Sequence, residues 1–403
     1  MVAVMSPSIP SVTLKPMPST ALGEGSISGL AQHVRAHGDR AFVVSDPGVQ
    51  SAGVLDQATQ VLDDEAIQWT AFVGVDPNPT DVNVAAGVAA LRSFGLDNTV
   101  MVLVGGGSAM DCGKYIAMAA PSGLDDLSLA FSPVLDDNDK IDFTQLSPAA
   151  QVSEPPIPTI AVPTTSGTAS ETNGGGLITR SEDHRKLTFS NDDVRPRVVV
   201  LDPLLTVGLP RGATAACGMD VLTHAIEAYT STAANPYADA MALHAIKLTA
   251  QWLPRAVAEG SDVAARANMQ VASHLAGRAF SSGPLLGLVH ATGHPISATL
   301  GAAHGQTLAT MMPHVMRFNL ETVRDRYADV GAAMGTAADA EAAIEAVEQL
   351  SATVGTNRSL TDLGATADHI GDLTTDALRD LIILNTPRYP SRQEVTELFE
   401  LAL

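Results

Sequence analysis

Five short aliphatic and β-branched runs recur along the first half of the chain: AFVVS (41–45), AFVGV (71–75), TVMVLV (99–104), IPTIAV (157–162) and RVVVL (197–201). Each is strand-sized and apolar almost throughout rather than at alternate positions, which predicts strands buried on both faces. Such strands belong to parallel sheets whose two faces are covered by helices. Amphipathic segments between the runs, residues 81–93 among them, supply that cover. The alternation predicts an α/β N-terminal domain with a parallel, Rossmann-like sheet.

After Leu209-Pro210-Arg211-Gly212 the strand signal stops, and Ala-rich helical patterns take over at 237–252, 263–279 and 337–351. The second half therefore reads as all-helical. At 403 residues the chain exceeds what one hydrophobic core usually organises, so two domains are expected, 1–209 and 210–403. Asp202-Pro203 and Leu209-Pro210 punctuate the boundary near Gly208 to Gly212. Residues 122–156, rich in Asp, Ser and Pro and without periodicity, are expected to form a surface excursion between a helix and the run IPTIAV.

Composition narrows the partners. Lys and Arg number 23 against 44 Asp and Glu, and a net charge of −21 disfavours nucleic acid and anionic membranes. The longest aliphatic strings are strand-sized, so no bilayer span is expected. Two cysteines, Cys112 and Cys217, do not make a disulfide framework and suit a reducing cytoplasm. The opening MVAVMSPSIPSVTLKPM has neither a basic start nor an unbroken apolar run, so it does not read as a secretory signal.

The third run leads straight into Gly105-Gly106-Gly107-Ser108 and then a helix, with Ser108 as the candidate N-cap. Glycines admit a ligand close to the backbone, and the unpaired N–H groups of a helix start attract an anion, so the loop predicts a phosphate or pyrophosphate site. A tight turn that binds nothing has the same residues. A second loop, AVPTTSGTASETNGGG (161–176), follows the next run and offers Thr164 and Thr165 as small donors. Two such loops at one end of adjacent parallel strands line a nucleotide crevice. Asp46, ending the first run, either accepts from an adenosine ribose, favouring NAD over NADP, or shapes the turn before Pro47-Gly48.

The helical half gathers imidazoles. Asp220 and His224 stand at i, i+4 on one helix face, His290 and His294 repeat the spacing, and His304 follows ten residues later. An aspartate with imidazoles and no thiolate suits Fe²⁺, Zn²⁺, Mn²⁺ or Co²⁺ in a catalytic rather than a structural site. His33, His37, His184, His244, His274, His314 and His369 read as surface or structural residues.

In their order along the chain these segments resemble the iron-containing (group III) alcohol dehydrogenases, relatives of dehydroquinate synthase and glycerol dehydrogenase. The matching motifs run from VVSDPGV through DPNPTD, GGGSAMD, PTTSGTASE, KLTFSN, VLDPLLT, GMDVLTHAIEAYTS, GLVHATGHP and AAHG to NTPR. The resemblance implies Asp220, His224, His290 and His304 as metal ligands and His294 as a proton carrier near the substrate. It implies Asp46 at the ribose, Asn78 and Pro79 near the adenine, Gly105 to Ser108 at the pyrophosphate, and Thr164 and Thr165 as further nucleotide contacts. Asp111, as a catalytic residue, and Lys186 would line the nicotinamide end. The activity implied is NAD(H)-linked hydride transfer between nicotinamide and an alkoxide held at the metal, Fe²⁺ with Zn²⁺ or another divalent ion as substitutes. The substrate would be a small alcohol or aldehyde. A homodimer is expected from exposed sheet edges. The rival readings are a non-redox NAD- and metal-holding relative, a metallohydrolase, or a non-catalytic metal-binding protein.

Overall fold

The structure is a computed structural model and describes residues 12–403; the opening segment read above for a signal lies largely outside them. Six strands, β1 (Ser19–Leu22), β2 (Arg40–Val44), β3 (Gln68–Phe72), β4 (Thr99–Gly105), β5 (Thr159–Pro163) and β8 (Val198–Leu201), form one sheet in the order β1-β8-β5-β4-β2-β3. Every pairing in it is parallel. The five apolar runs appear as β2, β3, β4, β5 and β8, with β3 displaced three residues toward the N-terminus from the expected 71–75. A sixth strand, β1, was not expected from the sequence: STAL is short, and mostly exposed at the sheet edge. The hairpin β6 (Gly175–Thr179) and β7 (Lys186–Ser190) was missed too, because its first strand opens with loop glycines.

Alternate residues on the strands explain the two covered faces. Phe42, Val44, Met101 and Leu103 pack with helices α4 (Asp81–Phe94) and α5 (Gly107–Ala119). Their neighbours Ala41, Val43, Val100 and Val102 pack on the other face with α1 (Leu30–Arg35) and α3 (Val54–Asp64); a short helix α2 (Pro47–Ser51) follows β2.

Among the described residues no strand follows Leu201, and the rest of the chain is helical: α6 (Arg211–Thr230), α7 (Pro236–Ala258), α8 (Val263–Ser281), α9 (Leu288–Leu300), α10 (His304–Asn319), α11 (Arg324–Met334), α12 (Ala340–Val354), α13 (Ile370–Arg379) and α14 (Arg392–Ala402). None of these helices is long and apolar enough to cross a membrane. Helix α6 is the axis of this half, buried on all sides from Thr214 onward except at Cys217. Its small residues permit that. A Cβ on Gly218 would stand 2.1 Å from Leu253 of α7.

Residues 122–156 do more than cross the surface. Tyr115 Oη donates to the Asp126 carbonyl at 2.9 Å, Ile141 is buried in the core of the helical half, and Arg392 of α14 donates to Asp139 at 2.5 Å. The excursion is thus a strap between the strand-bearing half and the helical half. Its Phe131 bridges to Thr188 on β7.

Candidate active site

Asp46, Gly105–Gly107 and Thr164–Thr168 meet at the C-terminal ends of β2, β4 and β5, which are neighbours in the sheet. The loops interlock: Thr164 N–H donates to the Gly105 carbonyl at 3.0 Å, and a Cβ on Gly107 would lie 2.7 Å from Thr168. Asp46 caps α2, its Oδ1 accepting from Val49 N–H at 2.9 Å. The cap of α5 is Gly106 rather than Ser108, because the glycine already holds the extended backbone that precedes the helix. Ser108 sits in the first turn and donates instead to the Pro77 carbonyl at 2.5 Å.

A cleft of about 620 Å³ runs from this junction to the helical half. Asn78, Pro79, Gly107, Ser108, Asp111 and Lys186 line one part, and Asp220, His224, His290, His294 and His304 another. Asp46, Gly105, Gly106, Thr164 and Thr165 belong to the packed loop junction and do not line it. Asp111 is engaged on both oxygens, accepting from Ser170 Oγ at 2.5 Å and from Leu177 N–H at 2.9 Å. It latches the second loop and β6 to α5, with Lys114 Nζ 3.4 Å from Oδ1, while lining the cleft. Lys186 Nζ donates to Ser297 Oγ on α9 at 3.3 Å, and burial pushes its ammonium down to about 8 despite Asp111, Asp380 and Asp220 nearby.

At the helical end, one carboxylate oxygen is ringed by imidazoles. Asp220 Oδ1 stands 3.3 Å from His224 Nε2, 3.5 Å from His290 Nε2 and 3.9 Å from His304 Nε2. Ligand atoms each about 2.1 Å from one metal are separated by about this much. Asp220, His290 and His304 each bring a ligand atom within 4.8 Å of the others; His224 stands beside Asp220, stacked on His290 at 4.8 Å, but outside that mutually close set. Asp220 Oδ1 and His290 Nε2 are buried without a hydrogen-bond partner, which a cation between them relieves. The donor set therefore fits a divalent transition metal.

Charge states agree. Burial works against the Asp220 carboxylate, but the facing His224, His290 and His304 hold it well below the carboxylate range. Burial pushes His224 down to about 4 and His304 well below its ordinary value, leaving neutral imidazoles. His290 is the exception: burial lowers it, yet Glu227 and Asp220 together raise it to about 9.

His294 lies one turn after His290 on α9, and its Nδ1 is 2.5 Å from Asp380 Oδ2. Asp380 and Glu227, whose Oε2 is 2.5 Å from His290 Nδ1, are site residues that sequence reasoning missed. Glu227 did leave a signal, as a third acid-or-imidazole position on the Asp220 and His224 face of an otherwise uncharged stretch. His274, read as structural, pairs with Glu171 at 3.2 Å and lies 3.3 Å from Thr20 Oγ1.

A doubly covered parallel sheet, a glycine loop and a cluster of Asp220 with imidazoles together describe a protein built to hold a nucleotide and a metal. The comparisons with known proteins make it specific. Residues 18–203 match the family described as iron-containing alcohol dehydrogenase, and residues 214–403 match the C-terminal part of the same family. The chain is 36% identical over 387 residues to the probable alcohol dehydrogenase EutG of Escherichia coli (strain K12), covering 96% of this chain and 93% of that protein. It is 38% identical over 374 residues to the 1,3-propanediol dehydrogenase of Klebsiella pneumoniae, covering 91% and 92%. The crystal structure of a 1,3-propanediol oxidoreductase superposes with a TM-score of 0.88 at 36% identity, over 98% of this chain and all of that one. The chain belongs to the iron-containing alcohol dehydrogenase family and is an NAD-linked alcohol dehydrogenase.

Proposed function

We propose that the protein interconverts small alcohols and aldehydes with NAD(H), with Asp220, His224, His290 and His304 holding Fe²⁺, for which Zn²⁺ or another divalent ion can stand in. The observation that carries this reading is the ring of three imidazole nitrogens 3.3–3.9 Å from Asp220 Oδ1 in the wall of a cleft that also holds Gly107 and Ser108. When bound, the metal supplies a Lewis acid for the alcohol or carbonyl oxygen, and NAD supplies the hydride acceptor or donor.

The chain's own residues do the rest. Asp380 accepts from Nδ1–H of His294, which leaves Nε2 as the base that takes the alcohol proton toward solvent. The loop Gly105 to Ser108 receives the pyrophosphate at the start of α5, with Thr164 and Thr165 packed behind it. Asp46, set in the loop junction beside the cleft rather than in its lining, would disfavour a 2′-phosphate on the ribose by its charge, and Asn78 with Pro79 borders the adenine. Lys186 and the latched Asp111 shape the nicotinamide end. Two functional units, 1–209 and 210–403, meet across the cleft. Two unpaired cysteines support a cytoplasmic setting, and the exposed edge strand β1 supports a homodimer.

The test is anaerobic purification, quantification of bound metal and nucleotide, and an NADH absorbance assay with primary alcohols, 1,3-propanediol and aldehydes. Turnover that tracks metal content is expected. Full turnover by metal-stripped protein would refute the proposal.

A further inference from the structure

Glu227 is a buried carboxylate with no lysine or arginine in ion-pair range among the described residues. Burying a charge is expensive unless its oxygens are satisfied, and here each has one partner. Oε1 accepts the backbone N–H of Val289 at 2.6 Å, and Oε2 stands 2.5 Å from Nδ1 of His290. Val289 belongs to the first turn of α9, whose N–H groups have no partner within the helix. The residue before that helix is Gly287, which has no side chain to cap it, and a Cβ there would come 3.1 Å from Glu227 Oε1. One carboxylate on α6 thus caps α9 and grips the imidazole that α9 carries. Glu227 also lies two turns beyond Asp220, on the face of α6 that bears Asp220 and His224.

We propose that Glu227 is the positioning residue of the metal centre: it accepts the Nδ1–H of His290 and so aims the Nε2 lone pair at the metal beside Asp220. The proposal rests on reading Asp220, His224, His290 and His304 as that centre. An imidazole ligand whose other nitrogen donates to a carboxylate is fixed in tautomer and orientation, and losing the carboxylate typically lowers metal affinity about 10–100-fold.

Glu227→Gln separates positioning from capping. The glutamine oxygen still accepts from Val289 N–H, but its amide then presents N–H to Nδ1 of His290 and reverses that hydrogen bond. Metal-stripped wild type and variant are titrated with Co²⁺ against a competing chelator, the visible absorption bands of bound Co²⁺ are recorded, and melting of the stripped proteins is followed. The expected result is a dissociation constant raised about 10–100-fold and shifted bands, with little change in melting. Wild-type affinity and bands in Glu227→Gln would overturn the proposal and leave Glu227 a helix cap only. If that variant does not fold, Glu227→Asp is read in the same way: it keeps the charge, cannot span both partners, and must also bind Co²⁺ more weakly. Failure of the underlying metal assignment looks different, because His304→Ala would then bind Co²⁺ like the wild type.

Discussion

Gly305 follows the proposed ligand His304 in the first turn of α10, and the backbone of α6 passes directly against it. A Cβ added there would stand 2.0 Å from the Ala216 carbonyl oxygen and 2.5 Å from its carbon. Both neighbours are backbone, so no side-chain rotation can relieve the clash. For Gly305→Ala the helices must part by about 1 Å before the contact reaches even 3.0 Å, a separation that real Cβ atoms seldom go below. Because α6 carries Asp220 and His224, the movement enlarges the ring on its His304 side. Overpacking of this kind costs about 1–3 kcal/mol of stability. A displacement near 1 Å at a catalytic constellation costs about 10²-fold in rate. The assay is melting of the metal-stripped variant, its Co²⁺ affinity, and kcat/KM at saturating metal. A variant that melts below wild type, binds Co²⁺ more weakly and turns over about 100-fold more slowly is the expected result. Wild-type affinity and turnover would refute the argument that this glycine sets the distance between the two ligand-bearing helices.

Three further outcomes are expected. His294→Ala should retain metal and lose about 10²–10⁴-fold in kcat, and Asp380→Asn should lose activity and alter the pH profile, because Ile382 N–H holds the asparagine oxygen and turns its amide N–H₂ toward His294; steady-state kinetics across pH with metal analysis decides. Asp46→Asn keeps the cap of α2 while removing the charge, so the NAD:NADP preference should fall roughly tenfold without loss of stability, and an unchanged ratio removes Asp46 from the ribose. In the metal-free protein His290 is protonated up to about pH 9, so binding a metal below that pH must expel one proton. Metal affinity should therefore rise about tenfold per pH unit and level off near 9, as calorimetry in buffers of different ionisation heat will report. Because the folded value lies above the ordinary 6.5, the same proton stabilises the metal-free fold fully below about pH 6.5, and that contribution is lost as pH rises through 9.

What was legible from sequence is what local periodicity encodes. Apolar runs marked β2, β3, β4, β5 and β8, and the i, i+4 spacings put Asp220 with His224 and His290 with His294 on single helix faces. The edge strand β1 and the hairpin β6-β7 carried no such mark: one is mostly exposed, and the other begins in a glycine-rich loop. Asp111 looked like a polar residue facing the cofactor. Only the folded chain brings Ser170 and Leu177 to its two oxygens.

The sequence by itself determined that a covered parallel sheet is followed by helices, that glycines stand where a strand meets a helix, and that imidazoles and Asp220 recur at helical spacing. These follow from residue chemistry within a turn or two of chain. Tertiary structure alone decided that the three Nε2 atoms converge on Asp220 Oδ1, that Glu227 engages His290 across 63 residues and Asp380 engages His294 across 86, and that Gly305 is needed for α10 to lie against α6. The reason is physical. Which side chains meet between helices depends on crossing angle and close packing, and neither leaves a periodic trace along the chain.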